Sequence, residues 1–238
     1  MSAPRSPSLW GAFIMSVTLL LAFGARHALA VMRVQIGEAE GVPGNDVVIG
    51  VVLTVDAGES VAAVENDIVF DPIYTPVAIE ANGRPDCTVN TAINKEATRF
   101  GFRPPGCDPT GGGCSAVHAV VIAIDNVTPI TSGALLYTCR LHISEDAPPG
   151  PYPLSNFNVL YAPPPGGNIE GVGLDGQITV LSPEGDADCD GKLTEADVET
   201  TVETIFDDAT ACDPDCNRDG RVSAADFACV AAQFGSSH

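Results

Sequence analysis

Asp186-Ala-Asp-Cys-Asp-Gly-Lys-Leu-Thr-Glu-Ala-Asp197 sets an oxygen-bearing side chain at nearly every alternate position around one glycine. Asp215-Cys-Asn-Arg-Asp-Gly-Arg-Val-Ser-Ala-Ala-Asp226 repeats that order 29 residues later. A hard cation such as calcium takes roughly six to eight oxygens at about 2.3–2.6 Å, and a short loop wound about a glycine turn supplies them. In the first copy Asp186, Asp188 and Asp190 take the first three ligand positions, Gly191 the turn and Lys192 a backbone carbonyl. Thr194 offers a hydroxyl or holds a bridging water, and Asp197 is the closing carboxylate. Asp215, Asn217, Asp219, Gly220, Arg221, Ser223 and Asp226 repeat the set, so two Ca2+ ions are expected.

Each loop runs into a helical pattern. Val198, Val202, Ile205 and Phe206 recur at i, i+4, i+7 and i+8, and Phe227, Val230 and Phe234 at i, i+3 and i+7. Thr194 and Ser223, each with Asp three residues on, predict capping boxes that start these helices beside the metal. Nothing helical precedes either loop, since Leu181 to Gly185 is a strand end and a turn and Pro214 breaks the segment from Ala209. The units are loop–helix repeats, not helix–loop–helix hands.

On these residues, 185 to 235 resembles a type I dockerin, the small module of two loop–helix repeats that plugs into a cohesin domain. The likeness includes the closing Asp and the apolar Leu193 and Val222 within the loops. It implies that recognition falls partly on the pair before each closing Asp, here Glu195-Ala196 and Ala224-Ala225, where members of the family often carry hydroxyl residues. The unequal pairs argue against two equivalent docking orientations.

Charge and cysteines suit export. The net charge is −20, with 17 acids and 6 bases in residues 31–182 and 14 acids and 3 bases in residues 183–238. Phosphate binding needs a basic footprint, so nucleic acid is not an expected partner. Arg5 precedes an apolar run from Leu9 to Phe23, and Ala28-Leu29-Ala30 is a small-x-small cleavage site. Residues 1–30 therefore read as a signal peptide, with secretion to the extracellular space or periplasm and no membrane segment after cleavage. The eight cysteines divide evenly: Cys87, Cys107, Cys114 and Cys139, then Cys189, Cys212, Cys216 and Cys229. Disulfides are the default outside the cytosol. Cys107 and Cys114 bracket a flexible Asp-Pro-Thr-Gly-Gly-Gly tip, which favours that pair and leaves Cys87 with Cys139; the second set allows three pairings. No His stands at zinc-ligand spacing beside either set.

Residues 31–181 read as all-β. Met32, Val34 and Ile36 alternate with polar neighbours, Val47 to Val55 is nearly continuously apolar, and Ala63 to Phe70 ends at Asp71-Pro72. Further strands are predicted at 76–80, 97–102, 117–124, 135–143, 158–161 and 177–181, separated by turns such as Pro148-Pro-Gly-Pro and Pro163-Pro-Pro-Gly-Gly-Asn. Nine or so strands predict two packed antiparallel sheets. Pro43-Gly-Asn-Asp before Val47-Val-Ile-Gly-Val-Val-Leu, then Val69-Phe-Asp-Pro, resembles the opening of a cohesin domain. Gly133-Ala-Leu-Leu-Tyr-Thr-Cys-Arg-Leu-His-Ile, Ala147-Pro-Pro-Gly-Pro-Tyr-Pro-Leu and Asp175-Gly-Gln-Ile-Thr-Val resemble its second half. The likeness implies a jelly-roll sandwich with a dockerin-receiving sheet face. The expected fold is thus mainly β: a cohesin-like jelly-roll β-sandwich (31–181), a linker (182–185) and a small α-helical, dockerin-like calcium module (186–238).

Catalysis has little support. Glu65 and Asp67 alternate on one strand and share a face with no evident cleft, and His118 and His142 read as ordinary sheet histidines. Gly171-Val-Gly-Leu-Asp-Gly176 has dinucleotide-fingerprint spacing but leads into a strand. The expected role is a secreted, non-catalytic adaptor whose partners are exported proteins bearing cohesin or dockerin domains. A carbohydrate-binding sandwich that holds polysaccharide would instead need a row of exposed aromatics, with Tyr74, Phe100, Phe102, Tyr152, Phe157 and Tyr161 on offer; a small glycoside hydrolase is the third class. The connector Ser182–Gly185 reaches at most roughly 14 Å. Any self-association is therefore expected head to tail between chains.

Overall fold

The computed structural model describes residues 32–207 and 214–236. The expected signal peptide, Cys212 and the Phe234 side chain lie outside the described residues.

Twelve strands and two helices follow one another among the described residues: β1 (Met32–Ile36), β2 (Glu38–Gly41), β3 (Asp46–Val55), β4 (Ala63–Val69), β5 (Cys87–Val89), β6 (Arg99–Arg103), β7 (Ala116–Val121), β8 (Leu135–His142), β9 (Gly150–Ala162), β10 (Ile169–Glu170), β11 (Val172–Leu174), β12 (Gly176–Val180), α1 (Glu195–Asp207) and α2 (Ala224–Ser236). One sheet runs β11-β1-β3-β8-β5. The other runs β2-β12-β9-β4-β7-β6, with β10 beside β9.

Successive strand residues point to opposite faces. Met32, Val34 and Ile36 of β1 therefore meet Ile49, Val51 and Leu53 of β3, Val117, Ala119 and Val121 of β7, and Ile178 of β12 in one buried core. The continuous apolar run of β3 is buried on one face only: Val47 is buried and Val48 is exposed. A polar chain crosses this core. Tyr137 Oη donates to Asn66 Oδ1 (2.8 Å), Asn66 Nδ2 to Asn156 Oδ1 (3.0 Å) and Asn156 Nδ2 to the Val34 carbonyl (2.7 Å), tying β8, β4, β9 and β1 together across both sheets. Burial pushes the Tyr137 hydroxyl well above its ordinary pKa, so it stays a donor.

The sheets depart from expectation in three ways. They are not purely antiparallel, because β1 pairs β11 and β2 pairs β12 in parallel. The chain changes sheets at Gly37 and again at Asp175, so its first and last strands run together and close the sandwich along one side. The approach is tight: a Cβ at Gly176 would lie 2.2 Å from the Gly37 carbonyl oxygen. Second, residues 76–80 form only isolated bridges, Val77 with Leu141 and Ile79 with Pro85. Third, the turn expected at Pro148-Pro-Gly-Pro ends at once in β9, which carries Pro151 and Pro153. Both prolines pair only toward β12, since the β4 register begins at Ser155. A residue without an N–H is tolerated where no neighbour would accept it.

The Cys87–Cys139 and Cys107–Cys114 bridges form as expected. Cys87 and Cys139 are direct cross-strand partners on β5 and β8. In the tail Cys216 joins Cys229, and Cys189 is also disulfide-bonded.

Candidate functional site

Both loops wind the same way. Gly191 and Gly220 take φ of 83° and 84°, a left-handed turn suited to glycine, and Cys189 and Arg218 share positive φ at the fourth position of each loop. Asp186 Oδ2 accepts from the Gly191 N–H (3.0 Å), Asp188 Oδ1 from Asp190 (3.0 Å) and Asp190 Oδ1 from Lys192 (2.8 Å). The second loop repeats these bonds one for one. Asp215 Oδ2 accepts from Gly220 (2.7 Å), Asn217 Oδ1 from Asp219 (2.9 Å) and Asp219 Oδ1 from Arg221 (3.0 Å).

The closing aspartates are buried and do two jobs. Asp197 Oδ1 accepts from the N–H groups of Ala187 (2.8 Å) and Asp188 (3.2 Å), while Oδ2 accepts from Thr194 (2.7 Å). Thr194 Oγ1 in turn accepts from the Ala196 N–H (3.2 Å), completing the capping box of α1. Asp226 takes Asn217 (3.1 Å) and Ser223 (2.8 Å), and Ser223 Oγ accepts from Ala225 (3.2 Å) at the start of α2. Burial acts to raise the Asp226 pKa, but the N–H groups of Asn217 and Ser223 outweigh it and hold the carboxyl below its ordinary value.

The donor set of the first loop suits a hard cation. Asp186, Asp188 and Asp190 each bring a carboxylate oxygen within 4.8 Å of the others. Asp186 is fully buried and its Oδ1 has no hydrogen-bond partner, which leaves a buried lone pair without a donor. Burial, chiefly, and the charges of Asp197, Asp190 and Asp188 push its pKa up, against the Gly191 N–H. An ion there would supply the missing partner. In the second loop Asn217 replaces one carboxylate and lowers the charge.

The helices differ in part from their sequence reading. Asp197 and Thr201 are the buried residues of α1, while Phe206 is 80% exposed. Nine residues at about 100° each put Phe206 on the side opposite Asp197. Val230 is buried as expected. Glu195-Ala196 and Ala224-Ala225 are exposed at the first turns. The tail also touches the sandwich: Lys192 Nζ donates to Asp146 Oδ1 at 2.6 Å, and Gly191 abuts Pro149.

A second candidate lies on the outer face of the larger sheet. Contrary to the sequence reading, Glu65 and Asp67 border a depression of about 600 Å3 together with Arg103, His118, Asn158 and Glu170. A β4–β9 register shift between Glu65 and Asp67 and the left-handed Asn158 (φ 51°) form it, since a bulge re-aims the side chains beside it. His118 Nδ1 lies 2.6 Å from Asp67 Oδ1, its Nε2 lies 3.6 Å from Glu65 Oε1, and Asn158 Nδ2 donates to Asp67 Oδ2 at 2.6 Å. Phe157, Ile122 and Ile124 are exposed nearby. Of the six aromatics weighed for a sugar-binding row, Phe157 alone is exposed. His142 bonds Asp46 (2.8 Å) on the other sheet.

No protein-family model matches the chain, and no curated protein matches it. Among solved structures, the sandwich is similar to cohesin domains. The third ScaC cohesin of Acetivibrio cellulolyticus, solved in complex with the ScaB dockerin, aligns with a TM-score of 0.51 at 18% identity over 63% of this chain and 99% of that one. The seventh ScaB type I cohesin of Pseudobacteroides cellulosolvens gives 0.51 at 14% over 64% and 94%. A cohesin from Clostridium thermocellum, solved in a type I cohesin–dockerin complex, gives 0.50 at 14% over 63% and 99%. The fold of this sandwich is therefore cohesin-like.

Proposed function

We propose that the protein is an exported, non-catalytic adaptor with two docking modules: a cohesin-like sandwich that receives a dockerin-bearing protein, and a dockerin-like tail that binds a cohesin-bearing one when loaded with calcium. Its work is to join exported proteins, in the manner of assemblies that gather polysaccharide-degrading enzymes. The observation that carries this reading is the shared acceptor pattern of the three leading side chains in the two loops, together with the unpartnered buried oxygen of Asp186. In each loop the three leading side chains, the carbonyl of Lys192 or Arg221, the hydroxyl of Thr194 or Ser223 and the closing Asp would hold the ion. Calcium would supply charge neutralisation to a loop whose carboxylates otherwise repel.

The receiving surface is the outer face of β9, β4, β7 and β6, where exposed Phe157 and Ile122 flank the polar group of Glu65, Asp67, His118 and Arg103. Apolar contact beside a few fixed polar groups is the make-up of protein interfaces. The scattered, mostly covered aromatics weigh against a polysaccharide platform. Asp67 is already engaged by His118 and Asn158, which weighs against its service as a general base. The tail is rooted at the Gly150–Val180 end of β9, and seven residues at about 3.3 Å put Phe157 about 23 Å away, beyond the roughly 14 Å reach of the connector. Self-pairing is thus head to tail between chains.

The test is capture of the full-length chain by immobilised cohesin-bearing and dockerin-bearing exported proteins, with and without a chelator. Complexes that dissolve on chelation at the tail are expected. Capture indifferent to calcium, or none by either class, overturns the reading.

A further inference from the structure

The two loops share their main hydrogen bonds but not their surroundings. A Cβ added to Gly191 would lie 2.6 Å from Pro149 Cδ, whereas one added to Gly220, at the same loop position, would meet nothing within 4 Å. The next residue, Lys192, reaches Asp146 Oδ1 at 2.6 Å, while its counterpart Arg221, equally exposed, makes no ion pair among the described residues. Among the described residues the second loop is joined to α2 by Cys216–Cys229 and to the connector by the ion pair of Arg218 with Glu184 at 2.8 Å. Gly185 is packed inside the tail, where a Cβ would lie 2.9 Å from Val230 Cγ2, so little free chain remains between the modules.

The turn that receives the first loop is itself firm. Ala147 is buried and its N–H donates to the Ser144 carbonyl (3.0 Å), and Tyr152 Oη donates to the Pro148 carbonyl (2.8 Å). The turn leads straight into β9, and β9 pairs with β12, the strand from which the tail departs. Both sides of the contact therefore spring from one strand pair.

We infer that the first loop is a calcium-set latch: Gly191 and Lys192 seat on the 144–149 turn when the loop is wound about its ion, and fix the tail at one angle to the sandwich. The inference rests on the calcium reading of the loops. The segment that offers the Lys192 carbonyl inward presents the Lys192 side chain outward to Asp146, so winding and seating are one motion. Without the ion, three carboxylates with oxygens within 4.8 Å of one another repel, Asp186 Oδ1 has no partner, and Gly191 loses the geometry that meets Pro149. An exposed ion pair alone is weak. The latch therefore depends on loop shape, with Lys192–Asp146 setting its register. The second loop, which makes no hydrogen bond or ion pair to the sandwich among the described residues, shapes the tail.

The experiment is double electron–electron resonance on the full-length chain, with spin-labelled non-cysteine residues at the exposed positions Glu59 and Glu203, the latter on α1, alongside a calcium binding isotherm on the same samples. Calcium is expected to narrow the distance distribution in the unaltered chain and in Asp219→Ala, but not in Asp190→Ala. Lys192→Ala keeps its backbone carbonyl and removes only an exposed pair, so it is expected to bind calcium at both sites and to give a distribution broader than the unaltered chain's but narrower than that of Asp190→Ala. Two ions bound with no narrowing, or Lys192→Ala as narrow as the unaltered chain, overturns the latch and leaves the calcium reading intact. No calcium uptake overturns both.

Discussion

Asp197→Asn tests whether the closing carboxylate organises the first repeat. In the native loop Oδ1 accepts from Ala187 (2.8 Å) and Asp188 (3.2 Å), and Oδ2 from Thr194 (2.7 Å), inside a site with no solvent access. The amide can keep the first pair of bonds but sets its NH2 against the Thr194 N–H, donor facing donor. A buried donor left without an acceptor costs about 1–3 kcal/mol. Losing a negative charge in the first turn of α1 adds roughly 0.3–2 kcal/mol, the upper end applying to partly buried sites. A destabilisation of about 2–4 kcal/mol follows, against a total of roughly 3–8 kcal/mol for a module of about 50 residues at 0.05–0.15 kcal/mol per residue. Hydrogen exchange of α1 amides in the full-length chain reads it out. Protection is expected to fall about 30- to 1,000-fold with calcium present, with weaker calcium uptake at one site. Unchanged protection together with an unchanged isotherm would refute the argument.

Tyr137→Phe orphans Asn66 Oδ1 within the core network and is expected to lower sandwich stability by about 1–3 kcal/mol, seen as a shift in urea midpoint at constant slope. Phe157→Ala, at a residue 56% exposed, is expected to leave that midpoint within about 0.5 kcal/mol while weakening capture of a dockerin-bearing partner; unaltered capture would remove this face from the interface. Hydrogen bonding to Lys192, and then its charge, hold the Asp146 carboxyl below its ordinary value, and Asp146 likewise raises Lys192. The pair therefore contributes above the unfolded aspartate value of about 3.9 and is lost as pH falls through the lowered folded one. The carboxyl carbon of Asp146 is expected to titrate below the usual range by NMR, and an ordinary midpoint would place Lys192 elsewhere.

The tail was legible because its chemistry is written at fixed offsets: a leading Asp five residues before the glycine whose N–H it binds, further acceptors two residues before theirs, and Thr or Ser three residues before Asp at the helix start. The apolar face of α1 was only half legible. Its stripe centres on Asp197 and Thr201, polar residues buried by the loop, and so Phe206 faces out. In the sandwich β1 followed from alternation, β3 from its nearly continuous apolar run, and β4, β7 and β8 from apolar stretches bounded by turn residues. The first turns of β9 were hidden by Pro151 and Pro153, whose place beside an unpaired edge is a fact of topology. Strands β2, β10 and β11 are too short for a periodicity to register. The Glu65–Asp67–His118 depression depends on a bulge at Asn158 and on a histidine distant in sequence, neither of which a local pattern reveals.

Calorimetric titration of calcium into the chelator-stripped, full-length chain tests the central claim most directly. Two ions per chain are expected, falling to one in Asp190→Ala, with heat that reports ordering of the tail. A chain that takes up no calcium, or takes up two ions equally well without Asp190, contradicts the account.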